Sequence, residues 1–366
     1  MTSKERLTRI FKNQPVDRPA FKMWGLYPGM KLLSPKYKKV YELGMELTDI
    51  LAGSHWIEDM IFGQNPAFDE QINEIDGNLF DITRTIQAGD RKLSTVIRDS
   101  HRGEPVYILE HFVKEPEDLQ AILQLPYTQP PVRVKSYQER AALVGDRGLV
   151  HYNIDSTVYM VQRLMGPELF SYMLYDEPEL ILQAAQIFQS RITAEVKGVL
   201  NTGIAPVFGY VGPEICIPPH TSMDTFESLV FNMDKPICDL VHNAGGHVWM
   251  HCHGKVGHVI DRFYDMGIDV LNPIEPPPLG DCTLAQAIAL GKGIGVEGNI
   301  EIMSILEDDA QTVKDAIDAA LADTKGYDRF ILGQSAGFEE YVDPTDKYID
   351  NLITYLTYGH QQVNKK

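Results

Sequence analysis

Two histidines separated by one residue, in the run His251-Cys252-His253-Gly254, carry the clearest chemical signal in the chain. They follow the apolar, strand-like stretch His247-Val248-Trp249-Met250. Alternate residues of a strand point the same way, so His251 and His253 share a face and Cys252 turns away from it. Two imidazoles fixed side by side make half of a zinc site, or a pair of polar contacts for a substrate. Glu275 closes a second strand-like run, Asp269 to Ile274, and three prolines behind it stiffen the turn. If those strands are parallel neighbours, His251, His253 and Glu275 meet at one mouth as ligands of Zn²⁺. Three protein ligands leave a position open, which marks a catalytic rather than a structural zinc.

Other polar residues stand in equivalent places. Glu214, Asp155 and Glu297 follow strand-like runs, and carboxylates gathered in one cleft raise each other's pKa and become proton donors and acceptors. Tyr210, Asn299, Ser335 and Gln334 lie at the same ends and are expected to contact substrate, although tyrosines of this kind also pack barrels. Tyr152, Trp249, Met160 and Met165 read as packing. His247 and His258 read as structural, and His55 and Trp56 as candidates for lining the mouth.

The elements that must position these groups can be read from the pattern. Thr2 and Glu5 form a capping box for a helix running to about Asn13. A strand is expected over Ala20 to Trp24 and a helix over Ser34 to Leu51. From 73 to 113 the pattern changes to antiparallel hairpins, with a turn at Asp76-Gly77, lying over the front of the main fold. From Gly148 strands and helices alternate. Strands are expected at Leu149 to Ile154, Ala205 to Tyr210, His247 to His251, Val270 to Ile274, Ile294 to Val296 and Phe330 to Leu332. Helices are expected over Glu117 to Leu123, Pro178 to Gly203, Ser222 to Gly245, Val256 to Met266, Thr283 to Leu290, Asp309 to Ala322 and Thr345 to Tyr358. Repeated β-α units imply a parallel sheet wrapped by helices. The polar residues cluster after the strands, which is where a (β/α)₈ barrel carries its active site. The fold class is therefore α/β: a TIM barrel, one domain over 1–366, with an N-terminal helical extension and a small hairpin insertion. An open doubly wound sheet would need a phosphate-binding fingerprint. Gly291-Lys292-Gly293-Ile294-Gly295 ends a helix and starts a strand, the wrong context for one.

Composition narrows the function. The chain has 366 residues, of which 44% are hydrophobic and 23% charged, an ordinary globular balance. A net charge of −18 repels phosphate backbones and anionic lipid, which argues against nucleic-acid and membrane partners. The four cysteines have no CxxC spacing, and the N-terminal residues are polar, so the expected location is a reducing cytoplasm.

Taken together, Ser3-Lys4-Glu5-Arg6-Leu7, Pro15-Val16-Asp17-Arg18-Pro19, Gly245-Gly246-His247, the His251 to Gly254 run, Gly267-Ile268-Asp269-Val270-Leu271 and Gly298-Asn299 resemble the uroporphyrinogen decarboxylase superfamily over nearly the whole length. The resemblance implies a (β/α)₈ barrel and one of two chemistries. The true decarboxylases carry an arginine-rich motif at the first strand for a polycarboxylate substrate. Here Phe21-Lys22-Met23-Trp24-Gly25-Leu26-Tyr27 has no arginine and only Lys22 as a cation. The other branch consists of zinc methyltransferases that exchange methyl groups with corrinoid proteins. Their motif is His-x-Cys with a later Cys, and the cobalamin-independent methionine synthases add a Glu. By that comparison His251 matches the His, His253 replaces the first Cys, Glu275 matches the Glu, and the last Cys falls near Ser335-Ala336, where there is none. The resemblance thus implies a metal-dependent methyltransferase acting on a small molecule, with a separate corrinoid-binding protein at the barrel mouth. A metal-free decarboxylase of a smaller acid and a non-catalytic binding barrel are the alternatives.

Overall fold

The computed structural model describes residues 1–54, 60–64, 66–204, 207–339 and 341–365. Its strands are Ala20–Phe21 (β1), Ile50–Gly53 (β2), Asp69–Glu74 (β3), Leu79–Ala88 (β4), Arg91–Ser100 (β5), Tyr107–Glu110 (β6), Gly148–Asp155 (β7), Val207–Val211 (β8), His247–His251 (β9), Val270–Asn272 (β10), Gly295–Ile300 (β11) and Phe330–Gln334 (β12). Eight of them form one parallel sheet in the order β1-β12-β11-β10-β9-β8-β7-β2. One backbone hydrogen bond, from Asp49 N–H to Phe21 O (2.6 Å), joins its two ends. This is the expected (β/α)₈ barrel, and β9 and β10 are parallel neighbours with His251 opposite Asn272.

A side chain holds the seam between β1 and β2. Asp49, fully buried, accepts from the Phe21 amide (2.9 Å), from Arg6 Nη1 (2.6 Å) and from Arg18 Nη1 (2.9 Å). Arg6 sits on the helix Ser3–Phe11, which Thr2 caps by accepting from the Glu5 amide. That helix ends at Phe11, two residues short of the expected Asn13. Its Leu7, Ile10 and Phe11 pack with Ala20, Leu51, Val207, Val270 and Ile331 and plug the floor of the barrel beneath Trp249.

The helix expected over Ser34 to Leu51 is shorter. A 3-10 turn, Pro35–Tyr37, leads into Lys38–Leu47, and Ile50–Gly53 is a barrel strand instead. Thr48 turns extended, its hydroxyl bonds back to Gly44 O, and Asp49 is captured by the two arginines, so the helix cannot continue. Two helices had no clear signal, Lys135–Val144 and Thr157–Asp176. The second is buried on several faces, which blurs its period, and breaks at Gly166 (φ +76°) before Pro167. Strand ends also moved: Ala205 and Pro206 lie outside the described residues, and β10 stops at Asn272.

The insertion is a four-stranded antiparallel sheet, β3-β4-β5-β6. Its first turn is where the sequence placed it, with Asp76 accepting from the amides of Asn78 and Leu79. The sheet borders the β7 side of the mouth: residues of β4, β5 and β6 share a cavity with Asn153 and Asp155. No helix among the described residues is long and apolar enough to cross a membrane.

Removing the Asp49 carboxylate leaves two guanidinium groups facing each other at the barrel seam. Asp49→Ala should lose about 3–5 kcal/mol of stability, the range for breaking a buried ion pair. A loss under about 1 kcal/mol in denaturant titration would show that the seam does not depend on it.

Candidate active site

The floor of the mouth is built on Glu297. The sequence placed it at a strand end, but β11 runs on to Ile300 and puts Glu297 inside the barrel, fully buried. Oε1 accepts from Lys22 Nζ (2.6 Å) and Asn272 Nδ2 (2.9 Å), and Oε2 accepts from Trp249 Nε1 (2.8 Å). The Lys22 ammonium also lies over the rings of Trp24 (4.3 Å) and Trp249 (4.8 Å). Burial lowers the Lys22 pKa against the attraction of Glu297. With both oxygens engaged, Glu297 is a positioning residue and not the proton carrier expected.

Above it stand the two histidines. Asn272 gives its amide hydrogen to Glu297, so its carbonyl must face His251, and Oδ1 takes the Nδ1 proton at 2.7 Å. That fixes the tautomer and leaves a lone pair on His251 Nε2. Burial, with His253 and Lys22 nearby, brings the His251 pKa down to about 3, so the ring is neutral. Trp24 (4.7 Å between centroids) lies against it, and His253 meets it edge-on at 4.5 Å.

His253 Nδ1 bonds Glu275 Oε1 (2.9 Å), and Glu275 Oε2 accepts from the Gly254 amide (2.6 Å). Gly254, at φ +88°, turns that amide toward the carboxylate. The loop behind Glu275 folds back on itself, and a Cβ on Gly280 would meet Glu275 O at 1.9 Å, so only glycine fits there. Burial opposes charge on His253, but the bond to Glu275 and the nearby Glu214 and Glu301 outweigh it and raise its pKa. Burial likewise opposes charge on Glu275, yet the bonds from His253 and Gly254 outweigh it and lower its pKa.

Two more acids complete the rim. Glu214 follows β8 on the turn Pro213–Cys216; burial raises its pKa, and His253 and Glu275 are in electrostatic reach. Glu301, which sequence reasoning missed, follows β11. Burial and the charge of Glu275 push its pKa up to about 7. Glu214 Oε2 and Glu301 Oε1 are buried without hydrogen-bond partners among the described residues. The signal for Glu301 was available, since it is a carboxylate just past the end of a strand-like run, as Glu214 and Glu275 are.

The remaining candidates fall in different places. Asp155 sits at the end of β7 paired with Arg163 (2.8 Å), across β8 from His251. The same alternation brings Asn153 and His151 inward, neither of them anticipated. His151 stacks on Trp249 at 4.8 Å, and burial with Lys22 nearby lowers its pKa to about 3. Asn299 is half-buried at the end of β11. Tyr210 is a correction: it shares a face with Phe208, turns toward the helices, and is fully buried beside Asp234. Gln334 is another correction, since it shares a face with Phe330 and Leu332 and accepts from the Trp24 amide (2.9 Å). Ser335 Oγ accepts from the Ile302 amide and starts the helix Ile302–Glu307. His55 and Trp56 lie outside the described residues. The four cysteines are buried and free.

His251, His253 and Glu275 are thus brought together. Even so, among the described residues no three His, Cys, Asp or Glu side chains stand as a ready ligand group. Glu275 has both oxygens on His253 and Gly254 and acts here as the acid that orients an imidazole. The donors free to meet a metal are the two Nε2 atoms, and these fit zinc in kind.

No family model matches the chain, and no curated protein matches it. Among solved structures it resembles a methyltransferase from Methanosarcina mazei, at 15% identity over 98% of each chain with a TM-score of 0.61. A B12-independent methionine synthase from Shewanella sp. W3-18-1, in complex with selenomethionine, matches at 13% identity over 77% of this chain and 74% of its own, with a TM-score of 0.44. The first likeness is one of fold.

Two measurements test this geometry. Glu297→Gln and Lys22→Met should each lose about 3–5 kcal/mol, and the double variant Lys22→Met/Glu297→Gln should lose less than the sum of the two. Additive losses would show that the pair is not coupled. The folded state holds the Glu301 proton more tightly than the unfolded chain does. Stability from this group is therefore complete below pH about 4.5 and lost as pH rises through about 7. Glu301→Gln should flatten that part of the stability profile between pH 4 and 8, and an unchanged slope would remove Glu301 from the titrating set.

Proposed function

We propose that the chain is a metal-dependent methyltransferase acting on a small molecule at the mouth of the barrel. The observation that carries this is the anchored histidine pair. His251 is fixed through Asn272 and His253 through Glu275, and each is left with Nε2 free beside the other. His251 and His253 would hold Zn²⁺, with Glu275 in the orienting place that carboxylates take behind zinc-bound imidazoles. A bound zinc ion supplies Lewis acidity to the atom that gives or takes the methyl group. Methyl transfer to or from an oxygen, nitrogen or sulfur also moves a proton. Glu301, with its pKa about 7, is suited to hold it near neutral pH, and burial shifts Glu214 in the same direction. The indole of Trp24 covers His251 and keeps water from that side.

The fold likeness to the Methanosarcina methyltransferase over the full length supports this reading, as does the place of the acids at the strand ends. We include in the proposal a corrinoid carried by a separate protein as the methyl partner. Decarboxylation of a polyanionic acid is disfavoured by the same geometry. Lys22 is neutralised by Glu297, and Glu214, Glu275 and Glu301 make the rim acidic.

Metal analysis of the purified chain decides the point. One zinc per chain is expected in the wild type after reconstitution, with His251→Ala and His253→Ala each losing affinity by about tenfold or more. A wild type that takes up no zinc, or variants that bind it as tightly, would reject the assignment.

A further inference from the structure

A second concavity lies between β7 and the antiparallel sheet, across β8 from His251. Its volume is about 140 Å³. Cavities near 150 Å³ with apolar walls hold one benzene ring. Most of the wall here is apolar: Met60, Phe62, Phe68, Phe112, Met160 and Leu164. The three phenylalanines touch one another, with centroids 5.0 to 5.7 Å apart, and present ring edges and faces to the space. Methionine sulfur adds favourable contact to an aromatic guest.

One end is polar. Asp155 Oδ2 accepts from Arg163, while Oδ1 is buried and takes no hydrogen bond among the described residues. The two arginines of the wall are already matched, Arg163 to Asp155 and Arg84 to Glu70, so the site does not call for an anion. Asn153 Oδ1, in the same wall, is likewise buried without a partner among the described residues. That end calls for a hydrogen-bond donor, because a buried acceptor without a partner carries its full desolvation penalty.

We propose that this cavity binds a neutral monocyclic aromatic ring bearing one hydrogen-bond donor, with phenol as the simplest member. The ring sits among the phenylalanines and methionines, and its hydroxyl donates to the Asp155 carboxylate. Asp155, expected from sequence to be catalytic, is here a specificity residue. The assignment does not depend on zinc or on methyl transfer, since ring binding is measured directly.

The test is calorimetric titration of the full chain with phenol and with toluene, which has the same shape but no donor. Phenol should bind saturably at one site, about tenfold tighter than toluene, the ratio for one hydrogen bond to a charged acceptor. Asp155→Ala should bring the two ligands to within about threefold of each other. Ile97→Phe, which fills the cavity from β5, should weaken phenol by more than about tenfold. Ile108→Phe does the same from the exposed strand β6 and serves if the first variant does not fold. Absence of saturable phenol binding, an unchanged preference in Asp155→Ala, or unchanged affinity in the folded filling variant would each overturn the proposal.

Discussion

The mouth of this barrel depends on a carboxylate buried beneath it. Glu297 joins four strands through three hydrogen bonds, to Lys22 after β1, Trp249 on β9 and Asn272 on β10. A buried charge is stable only when paired and fully bonded, so these partners have little freedom. The constraint propagates by hydrogen-bond polarity. Asn272 has one amide and one carbonyl, and once the amide is committed to Glu297 the carbonyl can only receive a proton from His251. The tautomer of an imidazole at the rim is thereby set by an ion pair at the floor.

The rim has the opposite character. Glu214, Glu275 and Glu301 surround one imidazole, His253, and raise its pKa. Two of the three acids are therefore pushed toward their neutral forms and one toward its ionised form. Pairs of titratable groups driven apart in this way divide into proton holders and structural anions. The floor supplies rigidity and the rim supplies Glu301, whose pKa of about 7 lets it change protonation near neutral pH.

The sequence exposed the strand-to-helix alternation, the antiparallel insertion and the convergence of His251, His253 and Glu275. Each leaves a local mark: a period of two, a turn at Asp76-Gly77, prolines behind a carboxylate. Lys22, Asn272 and Trp249 left no such mark, because their roles depend on which strands become neighbours. Glu297 was misplaced by a strand end read four residues early, and Ile50 and Leu51 of the strand Ile50–Gly53 were absorbed into a helix because four residues carry too little periodicity to stand alone. Tyr210 and Gln334 show the limit of reading by position: one step along a strand exchanges cavity for helix layer.

The wall of the cylinder is not equally strong around its circumference. β7 and β8 share a ladder of five residue pairs, whereas β1 is two residues long and meets β2 through one main-chain bond and the side chain of Asp49. Low-energy excursions of a folded chain begin where backbone bonding is sparsest. Breathing motions should therefore start at this join. The first interior groups wetted by such an opening are those beside β1, so hydration of the lysine under the two indoles reports on how tightly the cylinder is shut.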